Sequence, residues 1–369
     1  MVCKKIELHN FRNIEYADVS FSSGINIVSG ENAQGKTNLL EAIGLTSLGR
    51  SFRQACDGDM IRFGCECAEI KNTYFDGQRE CNIDVKLFDG RRQKKIEKNK
   101  VKIAKMSEIV GSFKVVVFFP EHLSIVKDGP AVRRNFLDVA LSQIKPLYIK
   151  SLQRYNNILK QRNTLIKDAE KNCSVFKNTV DIWSEQLAYE AALITKYRIN
   201  YLHMAKKYID TCFCEMTNEM ERPELTYIST SGLCEEDCLD ENRCREAYLS
   251  LYNSHHDREI CAGATLWGIH KDDIDMELNG RKARFYCSQG QQRSLALSMK
   301  LAEGEIIKDM CGGEYPVFLL DDVFSELDAR RREYLISNIV GKQVILTSCE
   351  PSIIEGCCNF ISVKNGEFK

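Results

Sequence analysis

The sequence has few of the features that would place the chain in a membrane or make its whole surface basic. No stretch approaches about 18 consecutive apolar residues, so no membrane-spanning helix is expected. Residues 1–10 are charged and strand-like, unlike a signal peptide. The formal net charge at pH 7 is −1, so any contact with nucleic acid must depend on a local basic surface.

Paired cysteine motifs are also missing, although the chain contains 17 cysteines. Many of them stand in apolar runs, and their number is odd. The groups that could be proposed as zinc sites are Cys65 with Cys67, and Cys234 with Cys238 and Cys244. Neither group has the paired C-x₂-C spacing of such sites. We therefore interpret the cysteines as free buried thiols, which fits a protein of the reduced cytoplasm.

The most informative stretch is GENAQGKTN at residues 30–38, between an apolar run and a helix-like run. This is the strand, glycine-rich loop and helix of a phosphate-binding loop. Gly30 and Gly35 are expected to let the backbone fold around an anion, with N–H groups facing the phosphates. Lys36 would reach the β- and γ-phosphates, and Thr37 would bind Mg²⁺. The candidate nucleotide-binding residues are Gly30, Glu31, Asn32, Ala33, Gln34, Gly35, Lys36, Thr37 and Asn38.

A second stretch, VFLLDD at residues 317–322, predicts the other half of a nucleotide site. Its apolar residues predict a buried strand, and Asp321 at the tip can hold Mg²⁺ together with Thr37. Asp322 is placed to orient or deprotonate the attacking water, so Asp322 and Lys36 are the predicted catalytic residues. The phosphate-binding loop lies about 290 residues upstream, which makes the helical middle of the chain an insertion within one ATPase fold.

A third stretch lies about 30 residues before that strand and comprises Ser288, Gln289, Gly290 and Gln291. A serine, a flexible glycine and an amide at a helix N-terminus can bind an anion. Because Lys36 already serves the nucleotide of its own chain, the natural ligand is the γ-phosphate held by a second copy. This predicts two ATP molecules enclosed in a symmetric dimer. The alternative is an ordinary polar helix cap.

Apolar periodicity predicts α/β structure at both ends of the chain and helices between them. Two long amphipathic helices, over 148–166 and 187–212, are expected to pack antiparallel. After residue 257 strands are predicted at 265–278 and 281–286, joined by an Asn279–Gly280 turn. The predicted domains are 1–135 and 257–369, which form the ATPase head, and 136–256, an inserted arm.

Two segments are basic although the chain as a whole is not. Residues 89–105 carry eight Lys or Arg and two acidic residues, and residues 145–171 carry seven and two. The first segment fits either a solvated edge strand or a contact with nucleic-acid phosphates, and the second most simply a solvated helix face. The candidate DNA-binding residues are Arg50, Arg53, Arg91, Arg92, Lys94 and Lys95.

Together these motifs resemble the ABC-type ATPases of the chromosome-maintenance and Rad50 group, and more narrowly the RecF family of bacterial recombination mediators. The matching residues are GENAQGKTN (30–38), LGRSFR (48–53), FPEHLSIVKDGPAVRRNFLD (119–138), GIHKDDI (268–274), SQGQQRS (288–294) and LLDDVFSELD (319–328). The resemblance implies an α/β fold: a P-loop ABC-type ATPase head, with a mixed sheet flanked by helices, and an inserted, mostly helical arm domain.

The resemblance also implies a function. RecF-like proteins dimerise on binding ATP, bind single- and double-stranded DNA at gaps and junctions, and hydrolyse ATP slowly. With RecO and RecR they help to load the RecA recombinase. Carried over to this chain, Ser288, Gln289, Gly290 and Gln291 form a signature that acts in trans. Ser325 and Asp328 belong to a D-loop at the dimer seam, and Arg12 is a further candidate nucleotide contact.

The chain departs from the broad ABC pattern in several places. Its signature lacks the LSGG run, and no histidine follows the strand predicted at 343–348, where Thr347 and Ser348 stand. In place of the glutamine expected after the strand at 115–119, only Glu121 or His122 is available. The second carboxylate of LLDD is an aspartate, one methylene shorter than glutamate. These departures favour a slow switch over a motor.

Three other functions remain open at this stage. The helical insertion argues against a transporter-type ATPase subunit. A nuclease partner of the Rad50 type would need a long heptad arm with a cysteine hook, and no such segment is visible in the sequence. A DNA-binding scaffold that does not hydrolyse ATP is the third alternative, and DNA-stimulated phosphate release would distinguish it.

Overall fold

The computed structural model describes residues 1–53, 55–90, 93–217, 221–349 and 358–369. The strands are β1 (Val2–Phe11), β2 (Ile14–Ser20), β3 (Ile25–Ser29), β4 (Cys67–Phe75), β5 (Glu80–Phe88), β6 (Lys95–Lys98), β7 (Val101–Ile103), β8 (Val115–Phe118), β9 (Pro223–Ile228), β10 (Asp273–Leu278), β11 (Arg281–Lys282), β12 (Val317–Asp321), β13 (Val344–Ser348), β14 (Asn359–Lys364) and β15 (Glu367–Phe368). The α-helices are α1 (Lys36–Leu48), α2 (Pro130–Ile144), α3 (Pro146–Lys167), α4 (Cys173–Thr217), α5 (Glu235–Leu239), α6 (Glu241–Ser254), α7 (His256–Ala262), α8 (Ala283–Tyr286), α9 (Gln289–Met310) and α10 (Ala329–Ile339). Short 3₁₀ helices span Gly58–Met60, Met106–Glu108, Pro120–Ser124 and Val323–Glu326.

The chain divides into two compact units. The first comprises Met1–Ser124, Cys212–Glu219 and Arg293–Lys369, and the second comprises Ile125–Thr211 and Met220–Gln292. These bounds differ from the predicted domains, because residues 125–135 and 257–292 group with the helices. Within the second unit, α2 packs on β10, and the Arg133 Nε atom lies 2.7 Å from the Asp273 Oδ1 atom. The domain boundaries given above stay a prediction.

A six-stranded sheet of order β15-β14-β3-β13-β12-β8 forms the centre of the first unit. Every neighbouring pair from β14 to β8 is parallel, and only β15 runs antiparallel. All residues of β12 and β13 are buried, as continuous apolar runs predict for central parallel strands. Because carboxyl ends of parallel strands share one edge, the segments after β3 and β12 are brought together there.

One helix lies unusually close to this sheet. A Cβ atom placed on Gly304, in α9, would lie 2.4 Å from the Phe318 Cζ atom of β12. No real Cβ tolerates such a distance, so only glycine permits this approach of helix to strand.

A second six-stranded sheet, order β2-β1-β4-β5-β6-β7, is antiparallel throughout. Its strands alternate between buried and accessible residues, most regularly in β5, as expected for a sheet with one covered face. The Gln343 side chain joins the two sheets. Its Oε1 accepts from the Cys3 N–H at 2.7 Å, and its Nε2 donates to the Cys3 and Ser22 carbonyls, each at 2.7 Å.

The predicted pair of long helices is confirmed within the second unit, and both helices are longer than expected. Arg198 Nε lies 3.1 Å from the Tyr148 hydroxyl, and Arg162 Nε lies 3.1 Å from the Ser184 hydroxyl. Since the residue numbers rise on α3 as they fall on α4, the two helices run antiparallel. Among the helices of the described residues, none is both long and apolar enough to cross a membrane.

Two strands predicted in this unit were wrong in extent. Residues 265–272 form a loop, and β10 begins only at Asp273. The loop conformation follows from Gly268, whose φ of 124° does not suit a strand, and from its N–H, which donates to the Thr230 hydroxyl at 2.8 Å. The Asn279–Gly280 hairpin is confirmed, but β11 ends after two residues, where α8 begins.

Candidate functional site

A cavity of about 420 Å³ lies at the carboxyl edge of the parallel sheet in the first unit. It is lined by Asn13, Asn32, Ala33, Gly35, Lys36, Thr37, Asn38, Arg53, Asp321, Asp322 and Thr347. Its volume is within the range of about 300–1,000 Å³ that is usual for ligand pockets. The structure therefore brings together the two predicted halves of the nucleotide site.

The loop before α1 has the backbone expected of an anion-binding turn. Ala33 and Gly35 have positive φ angles of 64° and 113°, and α1 starts directly at Lys36. Gly30 was interpreted as a residue needed for its dihedral angles, and this is wrong. Its φ is not positive; a Cβ there would instead lie 2.4 Å from the Val363 carbonyl oxygen of β14. Gly30 therefore serves close packing, and Gly35 serves the turn.

Lys36 is mostly buried and turns back onto its own loop. Its Nζ atom donates to the Gly30 carbonyl at 2.5 Å and to the Glu31 carbonyl at 2.9 Å. The Cys349 sulfur lies 3.4 Å from the same nitrogen and 3.1 Å from the Asn32 Oδ1 atom. An ammonium held by neutral oxygens can exchange them for an anionic ligand.

Thr37 and Asp321, predicted to share Mg²⁺, are in direct contact. The Thr37 hydroxyl donates to Asp321 Oδ1 at 2.8 Å, and the Thr347 hydroxyl donates to the same oxygen at 2.8 Å. Burial raises the pKa of the Asp321 carboxyl, while the hydrogen bonds from Thr347 and Thr37 lower it. Asp321 Oδ2 has no hydrogen-bond donor in the described part of the chain. A hydroxyl and a carboxylate at this distance are hard oxygen donors that fit Mg²⁺.

Asp322 follows with a positive φ of 48°, a strained value for a residue with a side chain. Its N–H donates to the Thr347 hydroxyl at 2.9 Å, and its carbonyl accepts from the Ser325 hydroxyl at 2.7 Å. Thr347 therefore fixes both aspartates, and Ser325 ties the D-loop to the second of them. Strain of this kind is retained where neighbouring contacts determine the backbone.

Glu41, which no sequence motif marks, organises the contacts on one side of the phosphate-binding loop. It is fully buried in α1 and makes two bonds with Arg12, from Nε at 3.0 Å and from Nη2 at 2.8 Å. Ser51 also donates to it, at 2.5 Å. The Arg12 guanidinium is thus committed to Glu41 and to the Asp59 carbonyl, and Arg12 does not line the cavity.

Asn13, the next residue, does line the cavity. Its Nδ2 donates to the Ala33 carbonyl at 3.1 Å, and its Oδ1 accepts from Asn38 at 2.8 Å. Gln34, on the same loop, accepts from the Asn365 N–H at 2.5 Å. The sequence signals that were missed are Asn13, the second asparagine of the NFRN stretch at residues 10–13, and Glu41, a lone glutamate in an apolar helix. Cys349 carried no signal, because only the fold brings it to Lys36.

The signature residues form a reciprocal helix cap in the second unit. The Ser288 N–H donates to Gln291 Oε1 at 2.7 Å, and the Gln291 N–H donates to the Ser288 hydroxyl at 3.3 Å. This is a capping box, the alternative considered above. Gln291 also donates to Glu221, and Gln289 begins α9. A capped helix N-terminus is compatible with anion binding, so the trans role of Ser288 to Gln291 stays a prediction.

Arginines hold the D-loop to α9 in the first unit. Arg293 donates through Nη2 to Glu326 Oε2 at 2.8 Å and through Nη1 to the Glu326 carbonyl. Arg331 donates through Nε to the Ser294 hydroxyl at 2.8 Å and through Nη1 to Asp328. Asp328 also caps α10 by accepting from the Arg331 N–H at 2.9 Å.

The candidate DNA-binding residues lie in different surroundings. Arg53 lines the cavity, and its Nη1 lies 3.2 Å from Asn38 Oδ1. Lys94 pairs with Asp57 at 3.0 Å, and the Lys95 ammonium lies 5.7 Å from the Phe88 ring centre. Arg50 is exposed. Arg91 and Arg92 lie outside the described residues, and DNA binding by the whole set stays a prediction.

His122, one substitute considered for the missing glutamine, packs against an aromatic ring. The ring centres of His122 and Phe119 are 3.7 Å apart. Burial, followed by the nearby Lys300 ammonium, lowers the pKa of His122 well below its ordinary value, so the imidazole is neutral. Glu121 is exposed. Neither residue lines the cavity.

The GIHKDDI segment forms a polar centre within the second unit. Asp272 is fully buried and accepts four hydrogen bonds: from the Thr230 N–H and hydroxyl, each at 2.7 Å, and from the Tyr227 and Tyr248 hydroxyls, at 2.7 and 2.9 Å. Burial lowers the pKa of His270 to about 4, and its Nδ1 lies 2.7 Å from the Tyr155 hydroxyl. These contacts indicate a structural segment.

Comparison with known proteins agrees with this geometry. A family model described as "RecF/RecN/SMC N terminal domain" matches residues 2–368. A "DNA replication and repair protein RecF" of Ruminiclostridium cellulolyticum is 38% identical over 370 residues, which cover 100% of this chain and 97% of the relative. The chain belongs to the RecF family. The RecF of Bacillus mycoides is 37% identical over 356 residues, covering 96% of this chain and 94% of its own.

Solved RecF structures confirm the fold. The "recombination mediator protein RecF-ATPrS in RecFOR pathway" is 34% identical with a TM-score of 0.91, covering 99% of this chain and 97% of that one. The corresponding "RecF-ATP" structure is also 34% identical, with a TM-score of 0.89 over 100% and 99% of the two chains. An Smc head domain from Pyrococcus furiosus, at 16% identity and a TM-score of 0.56, shares the fold alone. The predicted ABC-type ATPase head with a helical insertion is therefore confirmed.

Proposed function

We propose that this chain is an ATP-dependent DNA-binding protein of recombinational repair, which dimerises on ATP and hydrolyses it slowly with Mg²⁺. The observation that carries the proposal is the 2.8 Å contact of Thr37 with Asp321 beside Lys36, in a cavity of about 420 Å³. The solved structures of RecF relatives described as "RecF-ATPrS" and "RecF-ATP" support ATP as the ligand.

In the proposed reaction, the N–H groups of the loop and of the α1 N-terminus bind the phosphates. Lys36 exchanges its two loop carbonyls for β- and γ-phosphate oxygens. Thr37 and Asp321 would hold Mg²⁺, which would neutralise the charge that develops on the phosphates. Asp322 orients the attacking water, and Thr347 keeps both aspartates in register. A carboxylate that is one methylene shorter than glutamate fits slow turnover.

The dimer is proposed on chemical grounds. In the cavity lining, the charged donors are Lys36 and Arg53. Ser288, Gly290 and Gln291 of a second copy would add an uncharged helix N-terminus over the γ-phosphate, with Ser325 and Asp328 at the seam. ATP would then act as the link between subunits, and hydrolysis would release them.

The partners are proposed from the family. One solved RecF is described as a recombination mediator of the RecFOR pathway, and other relatives are named as DNA replication and repair proteins. By this likeness we propose single- and double-stranded DNA, gapped or at junctions, as the ligand of the dimer. RecO- and RecR-type mediators and the RecA recombinase are the proposed protein partners, in the cytoplasm.

Sedimentation velocity tests the proposal with ATP and Mg²⁺, with and without gapped DNA. The wild-type chain should sediment as a dimer only with ATP, and DNA should co-sediment with that dimer. Lys36→Arg should lose the dimer, because a guanidinium fork does not replace a compact ammonium. Gln291→Ala should bind ATP as a monomer but fail to dimerise.

Lys4→Arg is the matched control, since Lys4 is exposed and pairs with Glu80 at 2.8 Å on the antiparallel sheet. It should behave as wild type. ATP-dependent dimers that persist in Lys36→Arg would contradict the assignment of the site. Loss of ATP binding in Gln291→Ala to the same extent as loss of dimers would contradict the contact in trans.

A further inference from the structure

One arginine joins the signature helix to the segment that follows the second aspartate. Arg293 stands on α9, five residues after Ser288, and its guanidinium contacts Glu326 through both the side chain and the backbone carbonyl. A guanidinium presents its donors in a rigid planar fork. Because one of the two acceptors is a main-chain oxygen, the fork fixes the path of the D-loop backbone as well as one side chain.

Only one short 3₁₀ helix separates Glu326 from Asp322 along the chain. The 3₁₀ helix Val323–Glu326 begins directly after Asp322, and the Ser325 hydroxyl donates to the Asp322 carbonyl at 2.7 Å. Asp322 itself is held in a strained conformation with a φ of 48°. A displacement of Glu326 would therefore reach the proposed water-orienting carboxylate within one turn of helix.

A second set of contacts, made by Arg331, also connects α9 to the D-loop. The Arg331 Nε donates to the buried Ser294 hydroxyl at 2.8 Å, and the same guanidinium contacts Asp328. Ser294 is the residue after Arg293, so adjacent positions of α9 are connected to the D-loop at Glu326 and, through Arg331, at Asp328. Two separated points resist rotation, which a single contact would allow.

We infer that Arg293 is a positioning residue for ATP hydrolysis, which couples the signature helix α9 to the D-loop and through it to Asp322. This inference rests on the proposed function. Closure of one subunit's signature over a nucleotide would thereby set the Asp322 of the same subunit, which acts on the other nucleotide of the dimer. The two sites of the dimer would then hydrolyse their ATP molecules together.

The expected effects of Arg293→Ala on melting temperature, ATP affinity and kcat distinguish a positioning residue from one that only stabilises the fold. The side chains of Arg293 and Glu326 are 37% and 43% exposed, and exposed ion pairs add little to stability. Arg293→Ala should therefore leave the melting temperature nearly unchanged. It should leave the ATP affinity of the monomer unchanged too, because Arg293 is not among the residues that line the cavity. The kcat should fall by about ten- to a hundredfold, as misplacement of a catalytic group would produce.

The experiment compares Arg293→Ala, Arg293→Lys and Arg62→Ala. Arg62 is the matched control: its side chain is also 37% exposed, and it pairs with Glu15 of β2 at 2.7 Å. For each variant we would measure monomer ATP affinity, kcat, and hydrogen exchange of residues 323–328 without nucleotide. Arg293→Ala should raise that exchange and lower kcat, Arg293→Lys should recover part of both, and Arg62→Ala should match wild type.

A Glu326→Ala variant completes a double-mutant cycle. The double variant should have the same kcat as Arg293→Ala alone, because Arg293→Ala already removes both contacts, whereas Glu326→Ala removes only the carboxylate contact and keeps the one to the carbonyl. Additive losses, unchanged exchange at 323–328, or an equal loss of monomer ATP affinity would each overturn the inference. Failure of the wild type to hydrolyse ATP or to dimerise would instead overturn the proposed function, because the exchange measurement needs neither.

Discussion

Two buried aspartates, each in its own unit, have opposite surroundings. Asp272 accepts four hydrogen bonds, two on each carboxylate oxygen. Asp321 accepts two, both on Oδ1, and lines a cavity. A saturated carboxylate has no capacity left for a ligand, whereas one with a free oxygen beside a cavity does. Burial of a charge therefore does not by itself mark a functional site, whereas a buried carboxylate with an unused acceptor oxygen beside a cavity does.

The largest effect that this comparison predicts is from Asp272→Ala. It would leave two tyrosine hydroxyls and both Thr230 donors without their acceptor, at roughly 1–3 kcal/mol for each buried group that stays unpaired. We expect the free energy of unfolding to fall by about 4 kcal/mol or more, measured by urea denaturation. The exposed Asp181 on α4 is the control, and Asp181→Ala should be neutral. A stable Asp272→Ala variant would contradict the structural role.

Asp321→Asn should show the opposite pattern to Asp272→Ala: activity should fall, and stability should not. ATP hydrolysis should drop by about a hundredfold or more, because the proposed Mg²⁺ ligand loses its charge. The melting temperature should rise, since the raised pKa of Asp321 means that its ionised form destabilises the fold at neutral pH. The same change at exposed Asp18, which pairs with Lys5 at 2.9 Å, should alter neither quantity.

The pH dependence of these variants follows from the sign of that shift. As pH falls through the raised pKa of Asp321, the carboxyl takes up a proton and the destabilisation disappears. The stability advantage of Asp321→Asn over wild type should therefore shrink on acidification. Wild-type Mg²⁺-dependent ATP binding should weaken at a higher pH than an ordinary aspartate would give. An advantage that grows on acidification would show that the shift has the other sign.

Thr347→Val should have a smaller effect on the same site. The change removes the hydroxyl that contacts Asp321 at 2.8 Å and the Asp322 N–H at 2.9 Å, while it keeps the side-chain shape. We expect kcat to fall about tenfold, the equivalent of roughly 1.4 kcal/mol, with little change in ATP affinity. A drop in affinity without a change in kcat would mean that Thr347 supports binding and not the alignment of the aspartates.

The smallest expected effect is from Tyr248→Phe, which removes one of the four donors to Asp272. Three donors remain, so the free energy of unfolding should fall by only about 1 kcal/mol. Tyr189→Phe, at a tyrosine that is 55% exposed in the same unit, should be neutral. If Tyr248→Phe cost as much as Asp272→Ala, the four bonds would act as a single cooperative network.

The sequence predicted the parts of the site that depend on local pattern. GENAQGKTN and VFLLDD specify a strand, a turn and a carboxylate within a few residues, and parallel pairing brings both strands to one edge. Glu41, Asn13 and Cys349 reach the site only through tertiary packing. The function of Gly30 was misinterpreted for the same reason, since the obstacle at that position is Val363 from a distant strand. Residues 265–272 were wrongly predicted as a strand. Their apolar pattern is strand-like, and it does not reveal the hydrogen bonds to side chains, such as that from Gly268 to Thr230, that hold the segment as a loop.

Gly304 has a consequence for motion. Where α9 crosses β12, the helix backbone meets the Phe318 ring with no side chain between them. At this crossing the buried Phe318 ring is the side chain that must yield to a shift of the helix. A tilt of α9 toward the sheet would therefore press on the Phe318 ring of the strand that ends in Asp321. Gly304 is thus the position at which we expect a movement of α9 to reach the strand that carries the proposed Mg²⁺ ligand.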